Sequence, residues 1–277
     1  MTPDAGAADQ GRDAPFDPPV AAASLSGQAD AAWARRAAPH VGCAFLGGVS
    51  LDPASRAAAR DLVERDRDEF LPEQPLVFID AQLEALADEP LRAGVNLRSA
   101  TPGPIREAAE ICAEHDAIAE INAHCRQPEL RAVGCGESLL QEPARLADHV
   151  AAAAETDATV SVKIRTEVAG VDLPDVARTV ERAGADLIHV DAMDSEAVVA
   201  DVASAADLYV VANNEVRDRE SVLEYLEYGA DAVSVGRPSD DPRVLSRVAA
   251  AVESAGDVGE SAGDGVESTS AAEEVRQ

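Results

Sequence analysis

Three short segments of this 277-residue chain hold side chains suited to catalysis or cofactor binding. Lys163 is the only lysine among 23 basic residues; every other cation is an arginine. It lies near the end of Thr159-Val160-Ser161-Val162-Lys163-Ile164-Arg165, which reads as a buried strand running into a polar end. A compact ammonium at that place suits an anion or an electron-rich cofactor ring. Cys125 lies in Asn122-Ala123-His124-Cys125-Arg126-Gln127, a polar loop with cationic neighbours. A thiol so placed exchanges protons near neutral pH, whereas Cys43 and Cys112 read as inert small hydrophobes. The third segment pairs Asn213-Asn214 with Gly236-Arg237 one unit later. Backbone N–H groups at a helix start, a glycine permitting close approach, and a guanidinium able to bind in a bidentate way make a phosphate site. Asn214 can take the left-handed conformation usually left to glycine. The spacing of His124, Cys125 and Cys135 matches no usual ligand pattern and no CxxC pair occurs, so no metal is expected.

A scaffold must bring these segments together. Eight apolar runs are spaced along the chain: Val20–Ser24, Gly42–Leu46, Gly94–Leu97, Ile118–Asn122, Thr159–Ile164, Leu187–Val190, Leu208–Ala212 and Ala232–Val235. Each precedes a helical pattern, among them Ile105–Glu114 and Glu220–Tyr228; the second unit carries two, Pro53–Phe70 and Pro75–Ala87. Gly184 and Gly229 fall where helix C-terminal caps belong. Eight βα units predict an α/β fold, a closed (β/α)8 TIM barrel. A doubly wound sheet would want a G-x-G-x-x-G turn after its first strand, and Ser24-Leu25-Ser26-Gly27 is not one. In such barrels the active site lies at the C-terminal strand ends. Those ends carry Ser24 and Ser26, Asn96, Asn122 with Cys125, Lys163 with Arg165, His189 with Asp191, Asn213 with Asn214, and Gly236 with Arg237. They predict a polar, partly cationic funnel.

The formal charge is −29 and the pI about 4.3, yet 46% of residues are apolar and the apolar pattern is periodic. A disordered acidic protein lacks such periodicity. Adaptation to molar salt accounts for both the carboxylates and the near-absence of lysine, so the charge argues neither for nor against a nucleic-acid partner. Composition predicts disordered tails over 1–17 and 255–277 around a barrel at 18–254. No secretory segment or membrane span is evident, and a reducing cytoplasm is the expected setting.

The ordered motifs from Val20 to about Arg247 resemble the dihydrouridine synthase family of FMN-dependent barrels, particularly its shorter archaeal branch. Ala23-Ser24-Leu25-Ser26-Gly27-Gln28-Ala29-Asp30 is similar to the family's opening flavin loop, Ala-Pro-Met-Ala-Gly-x-x-Asp, with serine for proline. Val95-Asn96-Leu97 resembles Val-Gln-Leu, and Ile121-Asn122-Ala123-His124-Cys125 resembles Ile-Asn-x-Gly-Cys-Pro without the proline. Gly136-Glu137-Ser138-Leu139-Leu140 keeps the spacing to the family's Gly-x-x-Leu-Leu. Val162-Lys163-Ile164-Arg165-Thr166, Ala212-Asn213-Asn214-Glu215-Val216 and Val235-Gly236-Arg237 resemble Val-Lys-Ile-Arg-Thr, Ala-Asn-Gly-Asp-Ile and Ile-Gly-Arg.

The resemblance implies an FMN enzyme, reduced by NADPH or NADH, that passes hydride to C6 of a uracil ring in tRNA. It implies Cys125 as the general acid that protonates C5, Lys163 beside the flavin ring, and Asn122 orienting flavin or substrate. Ser24, Ser26, Asn96, Asn213, Asn214, Gly236 and Arg237 would complete the flavin site. His189 is assigned there too, although the family histidine aligns with Val190 and strand alternation turns His189 to the opposite face. No counterpart of the helical C-terminal domain of bacterial members is expected after the barrel, which would leave Arg98, Arg126, Arg131 and Arg165 near the mouth to hold a polyanion. Two other readings stay open: a flavoenzyme acting on a free pyrimidine or other small unsaturated substrate, and a non-catalytic phosphate-binding barrel.

Overall fold

The computed structural model describes residues 14–263. Its strands are β1 (Val20–Ala22), β2 (Cys43–Ser50), β3 (Arg92–Arg98), β4 (Ile118–Asn122), β5 (Thr159–Arg165), β6 (Leu187–Asp191), β7 (Tyr209–Asn213) and β8 (Ala232–Val235). All neighbours pair in parallel, and Val20 opposite Val233 closes β1 onto β8. The expected TIM barrel is therefore the fold. The strands are buried along almost their whole length, as parallel strands must be when one face meets helices and the other fills the barrel.

The helices are α1 (Ala31–Ala37), α2 (Pro53–Val63), α3 (Pro75–Glu84), α4 (Pro102–Glu114), α5 (Pro128–Ala132), α6 (Pro143–Ala154), α7 (Leu173–Arg182), α8 (Val198–Ala205), α9 (Arg219–Glu227) and α10 (Pro242–Gly263). Their starts are written in the sequence. Asp30, Asp52, Asp172 and Asp218 accept backbone N–H bonds as N-caps, and proline opens α2 through α6, where its missing N–H costs nothing. Gly184 and Gly229 follow α7 and α9 with φ of 101° and 85°, as a left-handed cap requires.

Two apolar layers hold the barrel. The larger lies between strands and helices, with Trp33, Leu97, Ile105 and Leu146 fully buried. Such side chains contribute roughly 1.5–3 kcal/mol each. The smaller plugs the N-terminal end of the barrel with Phe16, Phe45, Ile118, Leu187 and Tyr209. Phe16 meets Tyr209 edge-on, centroids 5.6 Å apart. Phe16, assigned by composition to the N-terminal tail, thus contributes to the core, while residues 1–13 of that tail lie outside the described residues. At the other end α10 continues to Gly263, past the barrel boundary expected at 254. The chain beyond 263 lies outside the described residues. No described helix is long and apolar enough to cross a membrane.

One helix ends earlier than its pattern suggests. Instead of running from Pro53 to Phe70, α2 stops at Val63. Arg67 N–H bonds to the Leu62 carbonyl and Asp66 N–H to that of Val63, with Asp66 at φ 57°. This is a Schellman closure with aspartate in the place usually taken by glycine. It releases residues 66–69 to cross the mouth of the barrel.

Candidate active site

The C-terminal strand ends surround one cavity of about 750 Å³, within the roughly 300–1,000 Å³ typical of small-molecule sites. Ser24 and Ser26 line it from the loop after β1, and Asn122, Cys125 and Arg126 from β4 and the loop beyond. Lys163 and Arg165 reach it from β5, Asn213 and Asn214 from β7, and Gly236 and Arg237 from β8. Two expected flavin contacts are not in its lining. Asn96 and His189 are fully buried beneath it, inside the barrel.

His189 points into the barrel below the cavity and is not in its lining. It stands in register with Lys163 on the neighbouring strand. Its ring stacks obliquely near Phe45, with centroids 5.3 Å apart. Nδ1 meets Glu120 Oε2 at 2.7 Å and Nε2 meets Ser234 Oγ at 2.7 Å. Asn96 donates to Glu120 Oε1 at 2.7 Å and accepts from Asn122 Nδ2 at 2.7 Å. Burial would push the Glu120 carboxyl up, but the imidazole, Lys163 and the Asn96 amide outweigh it and hold the group below its ordinary range. Burial pulls the Lys163 ammonium below the usual lysine range, opposed by Glu120 and Asp191.

The Cys125 loop is tied at three points. Asn122 Oδ1 accepts from the Cys125 N–H at 3.0 Å, Glu137 N–H donates to the Cys125 carbonyl at 2.9 Å, and Cys125 packs against the apolar cluster of Ala58, Leu62, Leu130 and Cys135. Gly136, at φ 64°, permits the middle contact, since a Cβ there would lie 2.1 Å from the Cys125 oxygen. Burial pushes the Cys112 and Cys135 thiols up to about 12, and that of Cys43 well above the usual range. Cys125 is the partly exposed thiol of the four.

The mouth is less cationic than its arginines suggested. Arg98 is bound to Glu69 at 2.6 Å with side chains 3% and 2% exposed, and also bonds to Ser26 Oγ. Arg165 meets Glu137 at 2.9 Å, and Glu137 also takes Arg131 at 3.0 Å, so Arg131 braces the wall and is not in the lining. Arg217 pairs with Glu215. Asp66, Asp68, Asp191 and Asp240 add carboxylates to the rim. Arg126, Arg237 and Lys163 have no carboxylate within ion-pair distance among the described residues.

The donor set fits a phosphorylated flavin. The hydroxyls of Ser24 and Ser26, the amides of Asn122, Asn213 and Asn214, the guanidiniums of Arg126 and Arg237 and the Lys163 ammonium all belong to its lining residues. Buried Nε atoms of Arg98 and Arg165 and Nδ1 of His124 have no partner among the described residues. Burial of its ring and then Lys163, Arg98, His189 and Arg165 hold His124 well below the usual histidine range. Three loops around the cavity carry non-glycine residues at positive φ: Glu167 (63°), Met193 (49°) and the pair Asn214 (110°) and Glu215 (50°). Such strained positions persist where a site is held by its surroundings. Among the described residues no group of three or more His, Cys, Asp or Glu is arranged to hold a metal.

Sequence reasoning missed Arg67, Asp68 and Glu69, because no glycine or proline marks the end of α2. It also missed Glu120, which reads as one polar residue in a short strand and becomes informative only when the barrel closes around it.

The sequence model of the dihydrouridine synthase (Dus) family matches residues 69–260. The chain belongs to the dihydrouridine synthase family. The match begins after the opening Ala23–Asp30 loop, so that segment rests on its own motif. An uncharacterized protein of Methanocaldococcus jannaschii is 29% identical over 234 residues, covering 80% of this chain and 89% of that protein. A probable tRNA-dihydrouridine synthase of Rhizobium leguminosarum bv. phaseoli is 28% identical over 148 residues, 47% of this chain and 46% of that protein. The chain thus aligns with about half the length of the rhizobial enzyme. Among solved structures, a putative lyase/mutase from Burkholderia cenocepacia superposes with a TM-score of 0.52 at 15% identity, covering 88% of this chain and 81% of that one. This last likeness speaks to the barrel alone.

Proposed function

We propose that this protein is a tRNA-dihydrouridine synthase that holds FMN in the mouth cavity, is reduced by NADPH or NADH, and saturates the C5–C6 bond of uridine. The observation that carries the reading is the convergence of Cys125, Lys163, Asn122 and Arg237 on one cavity in a member of this family. Arg237, Gly236, Asn213 and Asn214 would hold the phosphate, with Ser24 and Ser26 along the cofactor's chain. Bound there, FMN supplies two-electron transfer from the nicotinamide to the uracil ring. Lys163 places a positive charge where reduction adds negative charge, and Cys125 gives its proton to the substrate's C5 carbon. Asn122 holds the Cys125 loop in place, while Arg126 and Arg165 face the substrate. The barrel works in a reducing, salt-rich cytoplasm, where dense surface carboxylates keep it hydrated.

A second reading, a free pyrimidine or similar small unsaturated substrate, draws on the carboxylates of the rim, which repel a polyphosphate. Deleting the gene and measuring dihydrouridine in bulk tRNA by mass spectrometry separates the two. Loss at a defined position supports tRNA, and unchanged tRNA in a strain with no second copy moves the assignment to a small substrate. Flavin absorption in the purified protein tests the cofactor, and its absence after reconstitution would leave only a non-catalytic barrel.

A further inference from the structure

Beneath the cavity, strands β3, β5 and β6 direct polar side chains at a carboxylate of β4 that the proposed chemistry does not use. Glu120 is fully buried. Oε1 accepts from Asn96 Nδ2 at 2.7 Å, and Oε2 meets His189 Nδ1 at 2.7 Å and, more weakly, Ser161 Oγ at 3.4 Å. From Asn96 the chain continues upward. Asn96 Oδ1 accepts from Asn122 Nδ2 at 2.7 Å, and Asn122 Oδ1 accepts from the Cys125 N–H at 3.0 Å.

The direction of every bond in this chain is fixed from its ends. A backbone N–H only donates, so Asn122 must turn its oxygen toward Cys125. An ionised carboxylate only accepts, so Asn96 must turn its amino group toward Glu120. The two requirements agree, and the one bond between the amides then has its donor on Asn122 and its acceptor on Asn96. Were the Glu120 end unable to accept, both amides could reverse together, and Asn122 would present N–H to the N–H of Cys125.

We propose that Glu120 is a positioning residue for Cys125, acting through Asn96 and Asn122 to fix the thiol's loop over the cavity. Its value to catalysis rests on the proposed function; its effect on the thiol does not, and the test is chosen accordingly. Glu120→Leu removes the acceptor at similar volume. Glu120→Gln keeps an oxygen for Asn96 and offers its amino group to His189 Nδ1, whose proton can shift to Nε2 and be donated to Ser234. Asn96→Ala cuts the chain one link higher.

The experiment measures iodoacetamide alkylation of Cys125 in the full-length purified protein across the range where thiols titrate, read by peptide mass mapping, with Cys125→Ala as the blank. Glu120→Leu and Asn96→Ala should each raise the rate about tenfold as the loop leaves its apolar packing, within the range of couplings inside one hydrogen-bond network. Glu120→Gln should stay within about twofold of the parent, and the Glu120→Leu/Asn96→Ala double variant should react no faster than either single one. A parent-like rate in folded Glu120→Leu, or additive effects in the double variant, overturns the proposal. If Glu120→Leu does not fold, a parent-like rate in Asn96→Ala overturns it, and a raised rate with parent-like Glu120→Gln supports it. No tRNA enters the assay, so loss of the dihydrouridine reading and loss of this inference would be seen separately.

Discussion

His189 and Glu120 share a 2.7 Å hydrogen bond between side chains that are both completely buried. With Ser234 on the other ring nitrogen, the three reproduce the bonding order of a hydrolytic triad. Ser234 is fully buried, so no acyl substrate reaches it and the arrangement is interior structure. It also bears on stability.

Burial first, and then Lys163, holds His189 below the ordinary histidine range, with Glu120 pulling the other way. The folded pKa is lowered, so the unfolded chain binds the extra proton first. The stability this group contributes is complete above about pH 6.5 and is lost as pH falls below that value, at up to about 1.4 kcal/mol per pH unit. Glu120, also lowered, adds a further loss below about pH 4.3. Urea unfolding measured from neutral pH down to about pH 5 should show this slope. His189→Gln should reduce it, leaving the share of His124, whose ring is also held low, and an unchanged slope would refute the buried neutral imidazole at His189.

Lys163→Met removes a buried cation with little change of volume. Flavin content after purification, or the rate of flavin reduction by NADPH, should fall at least about tenfold while cooperative unfolding is retained. Parent-like values for both would separate Lys163 from the cofactor.

Cys125→Ala should still bind and reduce flavin but lose turnover on tRNA by roughly 10²–10⁴. Cys135, its thiol pushed up to about 12 by burial, should be replaceable by alanine without comparable loss. Reversed behaviour of the two variants would reassign the acid.

Glu69→Ala leaves the Arg98 guanidinium buried without its carboxylate, and should cost about 3–5 kcal/mol in denaturant unfolding. Replacing both residues by methionine should recover most of that loss, because neither charge is then stranded. Equal damage in the single and double variants would show that shape matters here more than charge.

All eight strands were legible in the sequence, because fully buried parallel strands are short, apolar and punctuated by capped helices. Ile118–Asn122 and Ala232–Val235 match residue for residue. The end of α2 was not legible, since an aspartate rather than a glycine takes the left-handed position at residue 66. With that end went Arg67, Asp68 and Glu69. The cavity-lining role of Lys163, Cys125 and Arg237 followed from strand ends alone. The depth of His189 and Asn96 did not, because motif order gives a residue's strand but not its layer within the barrel. Likewise the arginines of the mouth were readable one by one, whereas their partners, Glu69 and Glu137, come from other βα units and meet them only in three dimensions.

Those partners give the rim a particular kind of durability. Arg98 of β3 is fastened to Glu69 from the preceding unit, and Arg165 of β5 to Glu137, from the loop that follows β4. Each pair stitches neighbouring staves of the barrel together, and each lies beneath the surface, 3% and 2% exposed in the first and 8% and 11% in the second. Dissolved ions screen exposed charges across a few ångströms in concentrated salt but reach buried pairs much less. A brine that loosens the exposed pairs, such as Arg35 with Glu89, would leave these two fastenings intact, so the outline of the opening stays the same while the electrostatics of the outer surface change.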